Sequence, residues 1–325
     1  MLRIAILRSA QDLEPLRCAW ERLYREGQHS LFQSPAWNLL AARAFAAVEE
    51  PMVIHAENDS GAAIIPACIA GDHISLLGNA LFDYRDALAA GDPEVLRRAW
   101  QQVVLARRPL SITALRGDAA RRNWEGFGFA PTPFCNAPAV RRVDTSAEDF
   151  AAAHTRSARL LRRLARAGVE VRTHNGGESA LVRHIYEAKA RQSADAAGNL
   201  FADRSRIDFM VAMAAADPGC EIFTLETAGA LVAALVSFRD EVHDVRRFYT
   251  VYYDRAWAHH SPGVALIYEV TRRSLAQGLD CDYLTGEQPH KTRFATHRAP
   301  LFRVQAEVEY LARIARLAPT FQWAA

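Results

Sequence analysis

Tyr252-Tyr253-Asp254, Ser261-Pro262-Gly263-Val264-Ala265 and Gly286-Glu287-Gln288-Pro289-His290-Lys291 form the stretch from which the rest of the chain is read. The aromatic and β-branched residues that end at Tyr253 predict a strand over 245–253. Ser261 suits a helix N-cap, and Pro262 suits the first helical position, where an N–H would have no intrahelical partner. Gly263 has no Cβ and lets a large anion approach the free amides of the first turn, which together with the helix dipole favour phosphate. The expectation is a strand, an anion-binding turn and a helix over 262–277 that Gly278 terminates. Such a turn would hold the pyrophosphate of an acyl-CoA.

Of 39 basic side chains only Lys189 and Lys291 are lysines, a bias that GC-rich coding explains. One of the two closes the decisive stretch. A compact ammonium and an arginine fork are not equivalent at a tight site, so Lys291 is a candidate donor contact, with a solvated surface lysine as the plain alternative.

Composition sets bounds around this reading. A chain of 325 residues predicts roughly two domains, and 50% hydrophobic with 23% charged residues is ordinary for a soluble globular protein. A net charge of +2 gives no case for DNA. No apolar run approaches the ~20 residues of a membrane span and no signal-peptide pattern opens the chain, so a cytoplasmic protein is expected. Cys18, Cys68, Cys135, Cys220 and Cys281 are odd in number and widely spaced, which suggests free thiols. The 11 histidines hold no helical i, i+4 pair beside an acid, so no metal site is expected.

The order of elements repeats. The second half reads as a strand over 169–173, helices over 179–192 and 203–216, strands over 221–227, 230–239 and 245–253, the helix over 262–277, a strand over 280–284, a short helix after Pro289 and a strand over 302–310. The first half reads as strand 3–8, helices 13–25 and 35–45, strands 52–57 and 62–69, helix 93–106 and strand 110–115. Two copies of one mixed α/β unit are the inference, divided as 1–146, a connecting amphipathic helix over 147–168, and 169–325. That helix carries Arg156, Arg159, Arg163 and Arg166 on one face, either a solvated face or a surface that meets an anion.

With these residues in view the chain resembles the GCN5-related N-acetyltransferase (GNAT) superfamily, in its two-unit branch associated with cellulose or exopolysaccharide biosynthesis. The resemblance rests on Phe32-Gln33-Ser34-Pro35-Ala36-Trp37, Asp83-Tyr84-Arg85-Asp86, Tyr186 to Arg191, Tyr253-Asp254, Ser261-Pro262-Gly263 and Gly286-Glu287 with Lys291. The usual phosphate loop of the superfamily, Gln/Arg-x-x-Gly-x-Gly/Ala, has more glycine than Ser261-Pro262-Gly263-Val264-Ala265 offers. The resemblance implies tandem GNAT-like units with a mixed sheet in a Fem-transferase-like arrangement. It also implies acetyl-CoA or another acyl-CoA as donor substrate, lying in a splay between strands 245–253 and 280–284.

An acceptor amine or hydroxyl would attack the thioester while a backbone N–H polarises its carbonyl and a base removes the proton. Glu287, expected to be partly desolvated, is the first candidate base, with His290 and Asp254 next. No tyrosine lies between Pro289 and Pro300 to protonate the leaving thiolate, so that role falls to Lys291, His290 or solvent. Donor contacts are expected from Tyr252, Tyr253, Ser261, Pro262, Gly263, Val264, Ala265 and Lys291, and acceptor contacts from Tyr186, Lys189 and Arg191.

The equivalent helix of the first half begins Gly91-Asp92-Pro93, where an aspartate cap would occupy the amides and repel phosphate. The first unit is therefore expected to lack CoA and to shape the acceptor cleft through Trp37, Asp83, Tyr84 and Asp86. The acceptor is expected to be a sugar, a polysaccharide precursor or another polar small molecule. Two rivals remain: a Fem-type transferase fed by aminoacyl-tRNA, which the small net charge makes a poor fit, and a catalytically silent module that binds a glycan or a protein.

Overall fold

A computed structural model describes residues 1–27, 29–78, 81–119, 131–194 and 198–317. The chain forms two units, the first from Met1–Cys135 with Pro300–Ala325 and the second from Asn136–Ala299.

Unit one opens with β1 (Arg3–Leu7), α1 (Ala10–Leu13), α2 (Arg17–Glu26) and α3 (Pro35–Ala44). Short strands follow: β2 (Glu49–Pro51), β3 (Val53–Asn58), β4 (Gly61–Ile65), β5 (Ala67–Ala70), β6 (His73–Leu76) and β7 (Leu88–Gly91), then α4 (Pro93–Leu105) and β8 (Leu110–Arg116). The single strand expected over 62–69 is two, because Pro66 has no N–H for a continuous ladder. Strands β1, β3, β4 and β7 make one sheet in the order β1-β3-β4-β7; β8, β6, β5 and β2 lie consecutively in another. Trp100, Val103 and Val104 of α4 pack with Ile54, Ile65, Ile74 and Ile112 in a buried cluster. Asp92 caps α4 as its sequence suggests, Oδ1 accepting the Glu94 amide at 2.9 Å.

Unit two takes up the end of β9 (Thr132–Val140) and continues through α5 (Ala147–Ala153), α6 (Thr155–Arg166), β10 (Glu170–Asn175), α7 (Ser179–Gln192) and α8 (Arg204–Ala216). Then come β11 (Cys220–Thr227), β12 (Ala230–Asp240), β13 (Val245–Tyr253), α9 (Pro262–Ala276), β14 (Asp280–Asp282) and α10 (Pro289–Thr292). Strand β15 (His297–Ala306) and α11 (Val308–Leu317) follow, and from Pro300 onward they belong to unit one, where Val304, Ala306 and Leu311 join the core. The C-terminal strand read from the sequence over 302–310 thus starts and ends earlier, and a helix occupies its second half.

The sheet of unit two runs β10-β11-β12-β13-β14-β9. Strands β10 to β13 pair antiparallel in sequence, β11–β12 and β12–β13 as hairpins and β10–β11 across the helices α7 and α8, and the α9 crossover makes β13 and β14 parallel. Helix α9 is buried along most of its length, and Leu266, Ile267 and Val270 pack with Phe223, Leu235 and Phe248. The connecting helix expected as one piece is two, since His154 (φ −114°, ψ 39°) leaves helical geometry between α5 and α6. Phe150 stacks on Tyr268 before this break and Leu164 is buried after it.

At the far end of the β12–β13 hairpin the Arg247 guanidinium lies 3.1 Å from Asp240, both side chains nearly sealed from water, and His243 Nδ1 stands 3.1 Å from the same carboxylate. Burial alone would raise the Asp240 pKa, but the His243 hydrogen bond and the Arg247 charge hold it below the usual value. A depressed carboxyl contributes stability above its unfolded pKa, and that contribution is lost as pH falls through the folded one. Asp240→Asn leaves Arg247 buried without a counter-charge, which costs about 3–5 kcal/mol. Denaturant unfolding at pH 7 should read this loss, and the difference from wild type should shrink as pH falls below the ordinary carboxyl range and through the lowered folded pKa of Asp240.

Candidate active site

Strands β13 and β14 share only three pairs, Val245↔Asp280, Arg246↔Cys281 and Arg247↔Asp282. Strand β14 was expected to reach Leu284 and stops at Asp282. Leu284 adopts φ +62°, its amide donates to Asp282 Oδ1 at 2.8 Å, and the Tyr283 amide turns to Pro138 O at 3.0 Å. From Phe248 to Tyr253 no strand among the described residues pairs with the edge of β13 on the β14 side.

A bulge at Tyr249 sets which groups face that edge, since Val236 pairs with Thr250 and Ser237 with Phe248. The Asp254 amide donates to Val232 O at 2.9 Å, so by alternation Tyr252 also bonds to β12 while Val251 and Tyr253 present their backbone groups outward. Two side chains of α7 meet these carbonyls. Lys189 Nζ donates to Val251 O at 2.9 Å and Gln192 Nε2 donates to Tyr253 O at 3.1 Å.

The start of α9 lies beside the same edge: a Cβ built on Gly263 would stand 3.5 Å from Val251 Cγ1 and 3.5 Å from Tyr253 Cδ1. The cap expected from Ser261 is not made. Ser261 sits in the left-handed region (φ 50°, ψ 51°) and its hydroxyl accepts no helix amide, so the backbone takes a conformation costing roughly 1–2 kcal/mol and the first turn stays uncapped. Helix α6 packs against the 3-10 turn Arg255–His260 that precedes α9, and desolvation, then the charges of His259 and Arg163, lower the His260 pKa. Ala265 is fully buried, whereas Pro262 and Gly263 are buried at the helix entrance and Val264 is half-buried.

The candidate bases differ in surroundings. Asp254 is committed locally, its Oδ1 accepting the Ala256 amide at 2.9 Å as the cap of the 3-10 turn Arg255–His260. Glu287 accepts from Asn136 Nδ2 at 2.9 Å and lies 3.7 Å from Arg298, with 40% of its side chain exposed. The desolvation on which its candidacy rested is missing. His290 is half-buried on α10, and burial first, then Lys291, then Lys189, lower its pKa. Both lysines of the chain therefore act on one imidazole. Lys291 Nζ itself donates to Thr285 O at 2.6 Å.

Among the remaining candidates, Tyr186 is sealed in the core, its ring 4.7 Å from Phe201 and its hydroxyl facing Thr250 without a well-formed bond. Burial pushes its pKa far up, so it is packing rather than an acceptor contact. Arg191 is exposed on α7. Tyr252 is half-buried with a raised pKa, chiefly from desolvation, and Tyr253 is 37% exposed. Sequence reading missed Gln192, Asn136 and His260; the first two contribute through amides that carry no motif.

In unit one, Trp37 is fully buried and meets Phe32 edge-on at 5.0 Å and Phe82 at 5.4 Å, with Tyr84 6.0 Å from Phe32. Trp37 and Tyr84 are core residues here and line no open surface. Asp86 is buried, accepts the Ala87 amide at 2.7 Å and lies 3.7 Å from His29; Asp83 is half-buried. Among the described residues no group of three or more His, Cys, Asp or Glu could hold a metal ion, and no helix is long and apolar enough to cross a membrane.

Residues 141–292 match the family model of the acetyltransferase (GNAT) domain. No curated protein matches the chain. Among solved structures, it is similar to a tandem GNAT protein from the clavulanic acid biosynthesis pathway, at 13% identity and a TM-score of 0.55 over 95% of this chain and 99% of that one. It is also similar to FemX, at 9% identity and 0.60 over 96% and 100%, and to L-PGS from Bacillus licheniformis, at 9% and 0.59 over 92% and 96%. At such identities the likeness establishes the fold, a tandem of GNAT-like units. The match identifies an acetyltransferase (GNAT) domain at residues 141–292, an acyltransferase by class.

Proposed function

We propose that unit two transfers an acyl group from acyl-CoA, in the first instance acetyl-CoA, to an amine or hydroxyl of a polar acceptor such as a sugar or polysaccharide precursor. The observation that carries this reading is the three-pair splay of β13 and β14 ending beside the uncapped start of α9. The pantetheine arm would run along the outward groups of Val251 and Tyr253, and the pyrophosphate would meet the first-turn amides at Gly263 and Val264, with Arg163 near them. His290 is the base we favour, because it is half-buried and kept neutral, while Asp254 caps a turn and Glu287 is exposed and paired. The acceptor's nucleophile attacks the thioester carbonyl, His290 takes its proton, and the C–S bond breaks to release the thiol. Five free cysteines fit a reducing, cytoplasmic setting.

For unit one the proposal is a supporting role without donor, since Asp92 already occupies an amide of α4. A second reading, an aminoacyl-tRNA donor, is favoured by one observation: Arg156, Arg159, Arg162, Arg163 and Arg166 of α6 are all exposed, and none has a carboxylate within ion-pair distance among the described residues. Calorimetric titration of the purified protein with acetyl-CoA separates the readings. Binding in the micromolar range is expected; no binding to acetyl-CoA but salt-sensitive binding to aminoacyl-tRNA would transfer the donor role to RNA. Binding to neither would leave a silent recognition module.

A further inference from the structure

The β14-side edge of β13 carries a nucleophile of its own. Lys189 Nζ is held 2.9 Å from Val251 O, an outward carbonyl along which the proposed reading lays the pantetheine arm. The side chain is half-buried, and its acceptor is this neutral carbonyl, with no carboxylate within ion-pair distance among the described residues. An ammonium so placed is poorly compensated, and burial lowers its pKa, which enlarges the fraction present as free amine. His290 lies within the field of the same lysine and is itself kept neutral, so a proton acceptor is at hand.

We propose that Lys189 is a self-acylation site: its Nζ lone pair attacks the thioester carbonyl of acyl-CoA bound along the edge of β13, forming a C–N bond as the C–S bond breaks. One proton of the amine passes to His290 or solvent, the thiolate of CoA takes up a proton, and the products are an Nε-acyl-lysine and free CoA. The inference rests on the acyl-CoA reading of the splay. The amide formed is far less reactive than a thioester, so the modification ends there and passes no acyl group to the acceptor. It removes a cation from beside His290 and leaves a single N–H where three donors faced Val251 O. Acylated and unmodified protein should therefore differ in donor affinity.

The test is unusually clean because the chain has only two lysines. The full chain is incubated with acetyl-CoA, followed by intact mass and peptide mapping, while calorimetry on the same preparation reports donor binding. The expected result is one acetyl group per chain on the peptide that carries Lys189, at a rate independent of protein concentration. It should be absent from a folded Lys189→Arg variant and from urea-unfolded wild type, and at least tenfold slower in His290→Asn. Acetyl-CoA that binds without leaving a label would overturn the self-acylation alone. So would label spread over Lys291 and the α-amino group at the same rate in unfolded protein. Absence of binding would overturn the donor reading and this inference together.

Discussion

Gly263→Asp is expected to weaken acetyl-CoA binding by on the order of 100-fold or more while the protein stays folded. The carboxylate would enter the first turn of α9, where it satisfies the amides offered to phosphate and sets a like charge against the pyrophosphate, a juxtaposition worth about 3 kcal/mol or more. The fold should accept it. A Cβ at this position meets Val251 and Tyr253 at ordinary van der Waals distance, and an acid in the first helical turn is favoured by the helix dipole. Gly263→Ala separates the two effects. With the same room for its Cβ, and with glycine's backbone entropy removed, it should stabilise the unliganded protein by roughly 0.5–1 kcal/mol and yet bind the donor less tightly. Calorimetry for affinity and thermal unfolding for stability read both variants. Unchanged affinity in Gly263→Asp would move the donor away from α9.

The strongly patterned elements of unit two were legible to within a residue or two. Strand β13 and helix α7 fall where alternation and helical periodicity put them, and Gly278 ends α9 with φ +73°. The failures share a physical cause, which is backbone geometry that side-chain pattern does not encode. Leu284 is apolar and extends the strand pattern, yet it takes positive φ and thereby opens the splay. Ser261 has the right chemistry for a cap and the wrong backbone conformation for one. Short strands such as β6 and β7 lack enough alternation to be seen. At the site, Pro262 and Gly263 announce an anion-binding turn, but Lys189 reaches Val251 across 62 positions of sequence, and no local motif signals that contact. Trp37 and Tyr186 show the reverse error, aromatic residues that look like cleft walls and are core.

His290→Asn is expected to lower kcat/KM by about 10²–10⁴-fold with donor affinity nearly unchanged, the usual contribution of a positioned general base. The pH profile gives the sharper test. Desolvation, Lys291 and Lys189 all lower the His290 pKa below 6.5, so the neutral, proton-accepting form is already dominant at neutral pH. Activity should rise with pH on an acid limb lying below 6.5 and be flat through pH 7. Removing one cation by Lys189→Gln should shift that limb upward towards 6.5, a displacement that a merely structural histidine would not produce. Stability follows the same linkage: the unfolded imidazole binds its proton at higher pH than the folded one, so His290 favours folding above 6.5 and that contribution is lost as pH falls through the folded pKa. Glu287→Gln supplies the contrast. Its carboxylate is exposed and already engaged by Asn136 and Arg298, so only a few-fold change in kcat/KM is expected. A large loss in Glu287→Gln beside an active His290→Asn would return the base to the glutamate and require the 285–292 segment to rearrange when the acceptor binds.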